Sequence, residues 1–166
     1  MPQKPTPTKI LRILWLIPGK ENSSNSMCFV KRKLALMQRR PELQIEAFFL
    51  GSRKTPIYLY RKLKALGLIL KRFAPHLIHA QYCTLTGAFG AVVFGYPLII
   101  SYRGSDLNPA PGTHWARNLF GHLLSQISAY RASHVIFVSE RLQQRLWRGN
   151  VPTKIIPSGV DLALFS

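Results

Sequence analysis

A chain of 166 residues has room for one ordinary domain, and its 47% hydrophobic residues supply enough apolar material for a core. That composition excludes a disordered tail and a small disulfide scaffold. The 23 Lys and Arg outnumber the 6 Asp and Glu, for a formal net charge of +17, which predicts attraction to nucleic acid, anionic lipid or phosphorylated substrates. Cys28 and Cys83 lie far apart without metal-ligand spacing, so we expect no metal site and a reducing, cytoplasmic setting.

The N-terminus, residues 1–9, is polar and proline-rich. An export signal needs a basic start and a long apolar stretch, but the apolar run at 10–17 is interrupted by Arg12 and stopped by Pro18 and Gly19. We therefore expect a flexible tail at 1–9, no export signal, and one domain over 10–166.

Short apolar runs then alternate with longer amphipathic stretches, which predicts an α/β sandwich of three layers around a mostly parallel sheet of about six strands. Most of the predicted strands are continuously apolar, as strands buried on both faces must be. They are residues 10–17, 45–50, 77–80, 98–102, 134–138 and 154–156. The predicted helices are residues 28–40, 59–73, 84–93, 114–132 and 140–147.

The second helix has the clearest pattern, a leucine-rich apolar stripe at three- and four-residue steps that ends before Pro75. The stripe consists of Leu59, Leu63, Leu66, Leu70 and Phe73.

Residues 80–102 carry no charge and are long enough to cross a bilayer as one helix. Three glycines and the Gly95-Tyr96-Pro97 stop signal argue against that alternative. We expect a short helix, a turn and a buried strand there.

In a parallel sheet covered by helices, ligands bind beyond the carboxyl ends of the strands. The residues directly after the strands are therefore the candidate substrate-binding residues, with Gln81 and Tyr82 also at this edge. The candidates are Gly19, Lys20, Arg103, Gly104, Ser105, Asp106, Ser139 and Glu140.

Two of these positions have open alternatives. Gly19 either permits close backbone approach to a phosphate or sugar, or merely makes a turn, and its loop lacks the glycine pattern of a dinucleotide site. Arg103 offers bidentate bonds to a phosphate, and Asp106 offers acceptors for sugar hydroxyls. Alternatively, Asp106 caps a turn and pairs with Arg103.

Two other sets of residues could be mistaken for a metal site or a catalytic triad, but we expect neither site. His76 and His79 have ligand spacing only on a helix, and Pro75 places them at the entry to a strand. Ser105, Asp106 and His114 lack the nucleophile elbow of a hydrolase triad.

The basic residues are concentrated in the first half, since 13 of the 23 Lys and Arg lie between Lys20 and Arg72. No nucleic-acid-binding signature accompanies them, so nucleic acid is the disfavoured partner and an anionic membrane surface the favoured one. The predicted membrane-facing patch consists of Lys31, Arg32, Lys33, Arg61, Lys62, Lys71 and Arg72.

Four stretches in order, at 10–19, 97–107, 132–142 and 154–161 followed by Phe165, resemble the N-terminal, acceptor-side domain of family-four, GT-B-type glycosyltransferases. The last stretch is similar to the family's Ile-Pro-Asn-Gly-Val-Asp signature, with Ser158 in the Asn position. Arg103 stands where the family often has His, and Gly19-Lys20 where paired glycines are usual.

The resemblance implies a Rossmann-like domain, one half of a GT-B fold, that binds a glycan or lipid-linked acceptor in polysaccharide synthesis at the cytoplasmic membrane face. It implies retaining sugar transfer from a nucleotide sugar, without a metal, another cofactor or a covalent protein nucleophile. Arg103 and Asp106 are the weak catalytic candidates. Ser158, Gly159, Val160 and Asp161 would form the hinge to a nucleotide-sugar domain that this chain, which stops at Ser166, lacks.

A rival interpretation from another class remains open: a stand-alone basic module that binds an anionic membrane or nucleic acid without catalysis.

Overall fold

The computed structural model describes residues 10–22, 27–51, 55–104, 106–108, 112 and 115–157. The strands are β1 Leu11–Ile17, β2 Leu43–Phe49, β3 Leu77–Gln81, β4 Leu98–Tyr102, β5 His134–Phe137 and β6 Thr153–Ile155. The helices are α1 Cys28–Gln38, α2 Pro56–Phe73, α3 Thr84–Ala91, α4 Trp115–Arg131 and α5 Glu140–Gln143. All six predicted strands are present. The largest difference is at α5, which ends four residues before the predicted Trp147.

The strands form one sheet in the order β2-β1-β3-β4-β5-β6, and every described pair is parallel. The predicted α/β class with a parallel sheet is therefore confirmed. After β1 the chain moves outward to β2, then returns past β1 to β3 and continues in the other direction. The loops that follow β1 and β3 consequently diverge, and a crevice opens between two such loops at the carboxyl edge of a sheet.

The two faces of the sheet are both buried, each by different helices. On one face, Leu14 and Leu16 of β1 join the core cluster that contains Leu66 and Leu70 of α2. On the other face, Trp15 of β1 belongs to a second cluster with residues of α1. Because alternate side chains of a strand point to opposite faces, α1 and α2 lie on opposite sides of the sheet. This arrangement is the predicted three-layer sandwich.

Helix α2 follows its predicted pattern with one exception. Pro56 is at its N-terminus, where a missing N–H costs nothing, and the helix ends as Ala74 turns left-handed and donates its N–H to the Leu70 carbonyl. Leu66 and Leu70 are buried as predicted, but Leu63 is exposed. The prediction was wrong for Leu63 because the stripe that contacts the sheet is narrower than the sequence pattern.

The uncharged segment 80–102 is not one long helix. It contains the end of β3, the short helix α3 and the buried strand β4, as expected. Within the described residues, no helix has both the length and the apolar character needed to cross a bilayer.

Helix α3 packs closely on the sheet because it has glycines on the contact side. A Cβ atom at Gly90 would lie 2.6 Å from Cδ1 of Leu98, a residue with no exposed surface. In α2, by contrast, a Cβ atom at Gly67 would meet nothing within 4 Å.

These two helical glycines give a matched test of the packing. We expect Gly90→Ala to lower the free energy of unfolding by about 1–3 kcal/mol, because the new methyl overpacks the core. Gly67→Ala should raise it by up to about 1 kcal/mol through helix propensity. Urea unfolding measures the free energy of unfolding of both variants. Equal changes in the two variants would contradict the close packing of α3 on the sheet.

Candidate functional site

Loops after β1, β3 and β4 surround the carboxyl edge where the crevice opens. Gly19, after β1, has a φ of 83°, and its carbonyl accepts a hydrogen bond of 2.7 Å from the N–H of Gly51. This bond ties the loop after β1 to the loop after β2. Gly19 thus makes a turn, and its predicted part in a ligand site stays a prediction, as does that of the exposed Lys20 beside it.

Asp106 joins the loop after β4 to the start of α3. Its Oδ1 accepts a 3.0 Å hydrogen bond from the N–H of Cys83, and its Oδ2 accepts a 2.7 Å bond from the N–H of Arg103. The side chain is buried, and burial raises the pKa of the carboxyl, although bonds from backbone N–H groups, including that of Thr84, oppose the rise. This geometry matches the alternative in which Asp106 is a cap, and it makes Asp106 a positioning residue for the whole loop.

Arg103 begins this loop and is half-buried, while Gly104 follows it with a φ of 122°. The Arg103 charge acts on the pKa values of Lys33 and His79, both of which it lowers. The Arg103 charge also opposes the rise in the pKa of Asp106. Ser105 lies outside the described residues, so its predicted place in the site stays a prediction.

The loop after β5 stands further along the sheet, since β4 separates β5 from β3. Ser139 is extended and exposed at the start of α5, but its side chain makes no capping hydrogen bond. Glu140 is also exposed. The structure brings neither residue into contact with Arg103 among the contacts it shows.

A buried polar cluster under the crevice was missed by the sequence analysis. His79 Nε2 lies 2.8 Å from Ser101 Oγ, and Gln81 Nε2 lies 3.3 Å from His79 Nδ1. The Trp15 and His79 rings meet edge to face, with centroids 5.4 Å apart. The signal was present in the sequence: His79, Gln81 and Ser101 are polar residues in otherwise apolar strands, and the first two are spaced to share a face.

Burial lowers the pKa of His79 to about 3, with the charges of Lys33 and Arg103 adding to the effect. The imidazole is therefore neutral at pH 7 and serves as a hydrogen-bonding group within the cluster. Tyr82, beside it at the end of β3, holds a left-handed φ of 70°. A non-glycine residue in that conformation is strained, and such strain collects at functional sites.

The predicted basic patch is not one surface, because α1 and α2 lie on opposite faces of the sheet. Lys33 is half-buried, with Nζ 6.0 Å from the centroid of the Trp15 ring. Lys62 donates to the Phe49 carbonyl, and Arg72 forms an ion pair with Glu46. These residues do not share one surface, since sequence proximity does not reveal which face a helix covers, and their contact with a membrane stays a prediction. Of the same patch, Arg32, Arg61 and Lys71 are exposed, and Lys31 donates to the Glu21 carbonyl.

The proposed hinge, Ser158 to Asp161, lies outside the described residues and stays a prediction. Within the described part of the chain, no group of three His, Cys, Asp or Glu side chains has the arrangement of a metal site.

The fold is that of a Rossmann-like domain with a crevice at its switch point, the architecture of one half of a GT-B protein. A family model described as Glycosyltransferase Family 4 matches residues 31–164. The chain therefore belongs to this family, as its ordered motifs predicted. No curated protein matches it in sequence.

Solved structures show the same fold at low sequence identity. UDP-N-acetylglucosamine 2-epimerase from Rickettsia bellii matches with a TM-score of 0.62 and 8% identity, over 87% of this chain and 44% of its own. UDP-GlcNAc 2-epimerase from Methanocaldococcus jannaschii matches with a TM-score of 0.57 and 14% identity, over 87% and 45%. An F420-dependent methylene-tetrahydromethanopterin dehydrogenase matches with a TM-score of 0.50 and 10% identity, over 77% and 41%. The chain spans less than half the length of each.

The cap formed by Asp106 predicts a stability effect. Asp106→Ala leaves the N–H groups of Cys83 and Arg103 buried without their acceptor, so we expect the free energy of unfolding to fall by about 3 kcal/mol. Glu140→Ala, which removes an exposed carboxylate, is the control and should have little effect. Chemical denaturation compares them, and an Asp106→Ala midpoint equal to that of Glu140→Ala would contradict the capping role.

The neutral His79 predicts a loss of stability in acid. Its pKa is about 3 in the folded chain and about 6.5 in an unfolded one. Below pH 6.5 the His79 imidazole is protonated in the unfolded state but stays neutral in the native state. His79 therefore lowers the free energy of unfolding by about 1.4 kcal/mol for each pH unit of acidification, down to about pH 4. The raised pKa of Asp106 acts in the opposite direction, because its native carboxyl binds a proton first.

The His79 contribution is therefore isolated by comparison with His79→Asn, which should lose less stability between pH 6.5 and 4. Denaturation curves across this range measure the difference. Identical pH dependence in the two proteins would show that His79 is not held neutral.

Proposed function

We propose that this chain is the acceptor-binding half of a retaining glycosyltransferase that transfers a sugar from a nucleotide-sugar donor to a glycan or lipid-linked acceptor. The family match over residues 31–164 is the observation that carries the proposal. The chain's coverage of 44% and 45% of the two epimerases supports a second domain of similar size that supplies the donor site.

In this proposal the domain contributes orientation and electrostatics at the carboxyl edge. The Asp106 bonds fix the backbone at Arg103 and at Cys83, so the loops after β3 and β4, on one side of the crevice, are held before a substrate arrives. Arg103 then places a fixed positive charge in the cleft, where it stabilises the negative charge that develops on the leaving phosphate of the nucleotide sugar. No cofactor is assigned to this half, and polysaccharide synthesis at the cytoplasmic face is the proposed setting.

Transfer activity of the chain joined to its donor domain tests this proposal. We expect Arg103→Gln to lower kcat/KM at least tenfold, about 1.4 kcal/mol of transition-state stabilisation, because its charge lies at the reacting site. Arg141→Gln changes an exposed arginine of α5 and is the matched control. An Arg103→Gln enzyme as active as Arg141→Gln would refute the assignment of this edge as the acceptor site.

A second candidate function is binding to an anionic membrane surface, which the outer face of α4 favours. Six large apolar or aromatic residues on this helix are exposed, from 37% to 72%. They are Trp115, Leu119, Phe120, Leu123, Ile127 and Tyr130. Their spacing places them within less than half of the helix circumference, so they form one stripe, which we call the α4 stripe.

Charge around the α4 stripe matches anionic lipid. The sequence of α4 contains no Asp or Glu. Arg148 lies over the Tyr130 ring, and Arg131 lies over Phe94, a residue that is 76% exposed. An aromatic and aliphatic stripe with arginines at its border is typical of helices that lie in the headgroup region. We therefore propose the α4 stripe, in place of the α1/α2 patch, as the membrane-contacting surface.

Vesicle sedimentation tests this surface. Leu119→Asp with Ile127→Asp should abolish binding to vesicles that contain phosphatidylglycerol, since a carboxylate in the stripe opposes both insertion and the anionic surface. Ile57→Asp with Leu68→Asp introduces the same charges on α2, at residues that are each 70% exposed, and should retain more of the binding. Equal loss in both pairs would show that net charge alone governs binding, and the α4 stripe would be excluded as the contact surface.

A further inference from the structure

A cavity lies at the edge of the sheet opposite to the candidate site. It has a volume of about 290 Å³ and opens between the end of α5, the loop that follows α5 and the start of β6, so we call it the α5–β6 cavity. Because this loop leads into the first residue of a strand, it lies at the amino edge of the parallel sheet. The lining residues are Gln143, Gln144, Leu146, Arg148, Gly149 and Thr153.

A ligand can reach the α5–β6 cavity from solvent. Gln144, Gly149 and Thr153 are exposed, and the other three lining residues are half-buried. A Cβ atom at Gly149 would meet nothing within 4 Å, so the backbone there borders open space. The volume is close to the lower end of the range of about 300–1,000 Å³ that is typical of small-molecule sites. The cavity therefore suits a ligand of one ring.

The loop that lines the cavity is held in place by α4. Gln126 of α4 is 1% exposed, and its Oε1 accepts a 3.0 Å hydrogen bond from the N–H of Trp147. Arg148 Nη1 donates to the carbonyls of Ala129 and Tyr130, at 2.7 and 2.6 Å. The wall of the cavity is therefore formed before a ligand binds, which lowers the entropic cost of binding.

The Arg148 contacts also argue against an anionic ligand. Arg148 is the one charged residue among the six that line the cavity. Its guanidinium group lies at the last turn of α4, where the carbonyl groups form the negative end of the helix dipole. The charge of Arg148 is therefore offset within the fold, and the rest of the lining is neutral.

The neutral groups offer both donors and acceptors. Gln143 Nε2 donates to Thr153 Oγ1 at 2.8 Å, which leaves the Gln143 carbonyl oxygen as an acceptor and the Thr153 hydroxyl hydrogen as a donor. In the described part of the chain, the exposed Gln144 amide makes no hydrogen bond. Leu146 adds an apolar surface. A sugar ring matches this lining, because its hydroxyl groups both donate and accept while its C–H groups pack against apolar side chains.

We propose that the α5–β6 cavity binds one neutral sugar ring of a glycan. The amides of Gln143 and Gln144 and the hydroxyl of Thr153 bond to sugar hydroxyl groups, and Leu146 packs against the C–H groups of the ring. In the complete enzyme this site holds the glycan by a sugar away from the reacting edge. That use rests on the proposed glycosyl transfer, whereas sugar binding in the cavity does not.

The side-chain NH2 resonances of Gln143 and Gln144 in the 15N-labelled chain report on the cavity directly. The probes are glucose, galactose, mannose and N-acetylglucosamine, each titrated to about 100 mM because contacts to one ring give millimolar affinities. We expect saturable shifts of these resonances with at least one of the four sugars. Glycerol, which carries hydroxyl groups but no ring, should not reproduce the shifts.

Variants separate binding in the cavity from general effects of a concentrated sugar, with the Gln143 resonance as the common reporter. Gln144→Leu should weaken the apparent Kd about fivefold or more, because hydrogen bonds to the sugar are lost. Gly149→Leu places a bulky side chain in the open space at the lining and should weaken it as much. Gln44→Leu makes the matched change at an exposed residue of β2 and should leave the Kd unchanged. Unfolding midpoints show that the variants are folded.

The absence of a saturable shift with all four sugars, equal shifts with glycerol, or equal weakening by Gln44→Leu would overturn the proposal. Glucuronic acid should bind no better than glucose, and a preference of about tenfold for this anionic sugar would also overturn it, because the lining would then recognise charge.

The two proposals fail in distinguishable ways. Sugar binding in the cavity of a chain whose complete protein transfers no sugar would refute the proposed function and leave the cavity assignment standing. An active transferase whose α5–β6 cavity binds none of the four sugars would refute the cavity assignment alone.

Discussion

The reversal of the chain between β1 and β3 is the constraint on which the rest of the structure depends. All six strands end at the same edge of the sheet, and the order β2-β1-β3 sends the flanking loops in opposite directions there. The crevice therefore follows from the connectivity. Asp106 then fixes its far side, because one carboxylate binds the backbone at both Arg103 and Cys83. A buried charge of this kind is costly, and its retention is explained by the loop geometry it imposes.

The distribution of positive charge follows from the same architecture. Helices α1 and α2 are both basic, yet they cover opposite faces of the sheet. Their lysines and arginines therefore make different contacts. Lys33 of α1 lies over the Trp15 ring, while Arg72 of α2 pairs with Glu46. Helix α4 adds an exposed apolar surface, the α4 stripe. A basic chain with an aromatic outer helix fits the proposal of an enzyme whose acceptor lies at a membrane surface.

Most of the fold was predictable from the sequence, and only part of the site was. Continuous apolar runs identify strands such as Leu98–Tyr102 because both faces of a parallel sheet are buried. Ordered motifs identified the family and placed Arg103 and Asp106 after β4. The approach of Lys33 to the Trp15 ring was not predictable, since it depends on which face α1 covers. The prediction that Leu63 is buried was wrong because periodicity gives the direction of an apolar stripe but not its width.

The central proposal is that this chain is one half of a glycosyltransferase whose donor domain lies in the same polypeptide. An immunoblot of native cells with an antibody against this chain tests that claim most directly. We expect one band at about twice the mass of the chain, because the added domain would be of similar size. A single band at the mass of the 166-residue chain would contradict it.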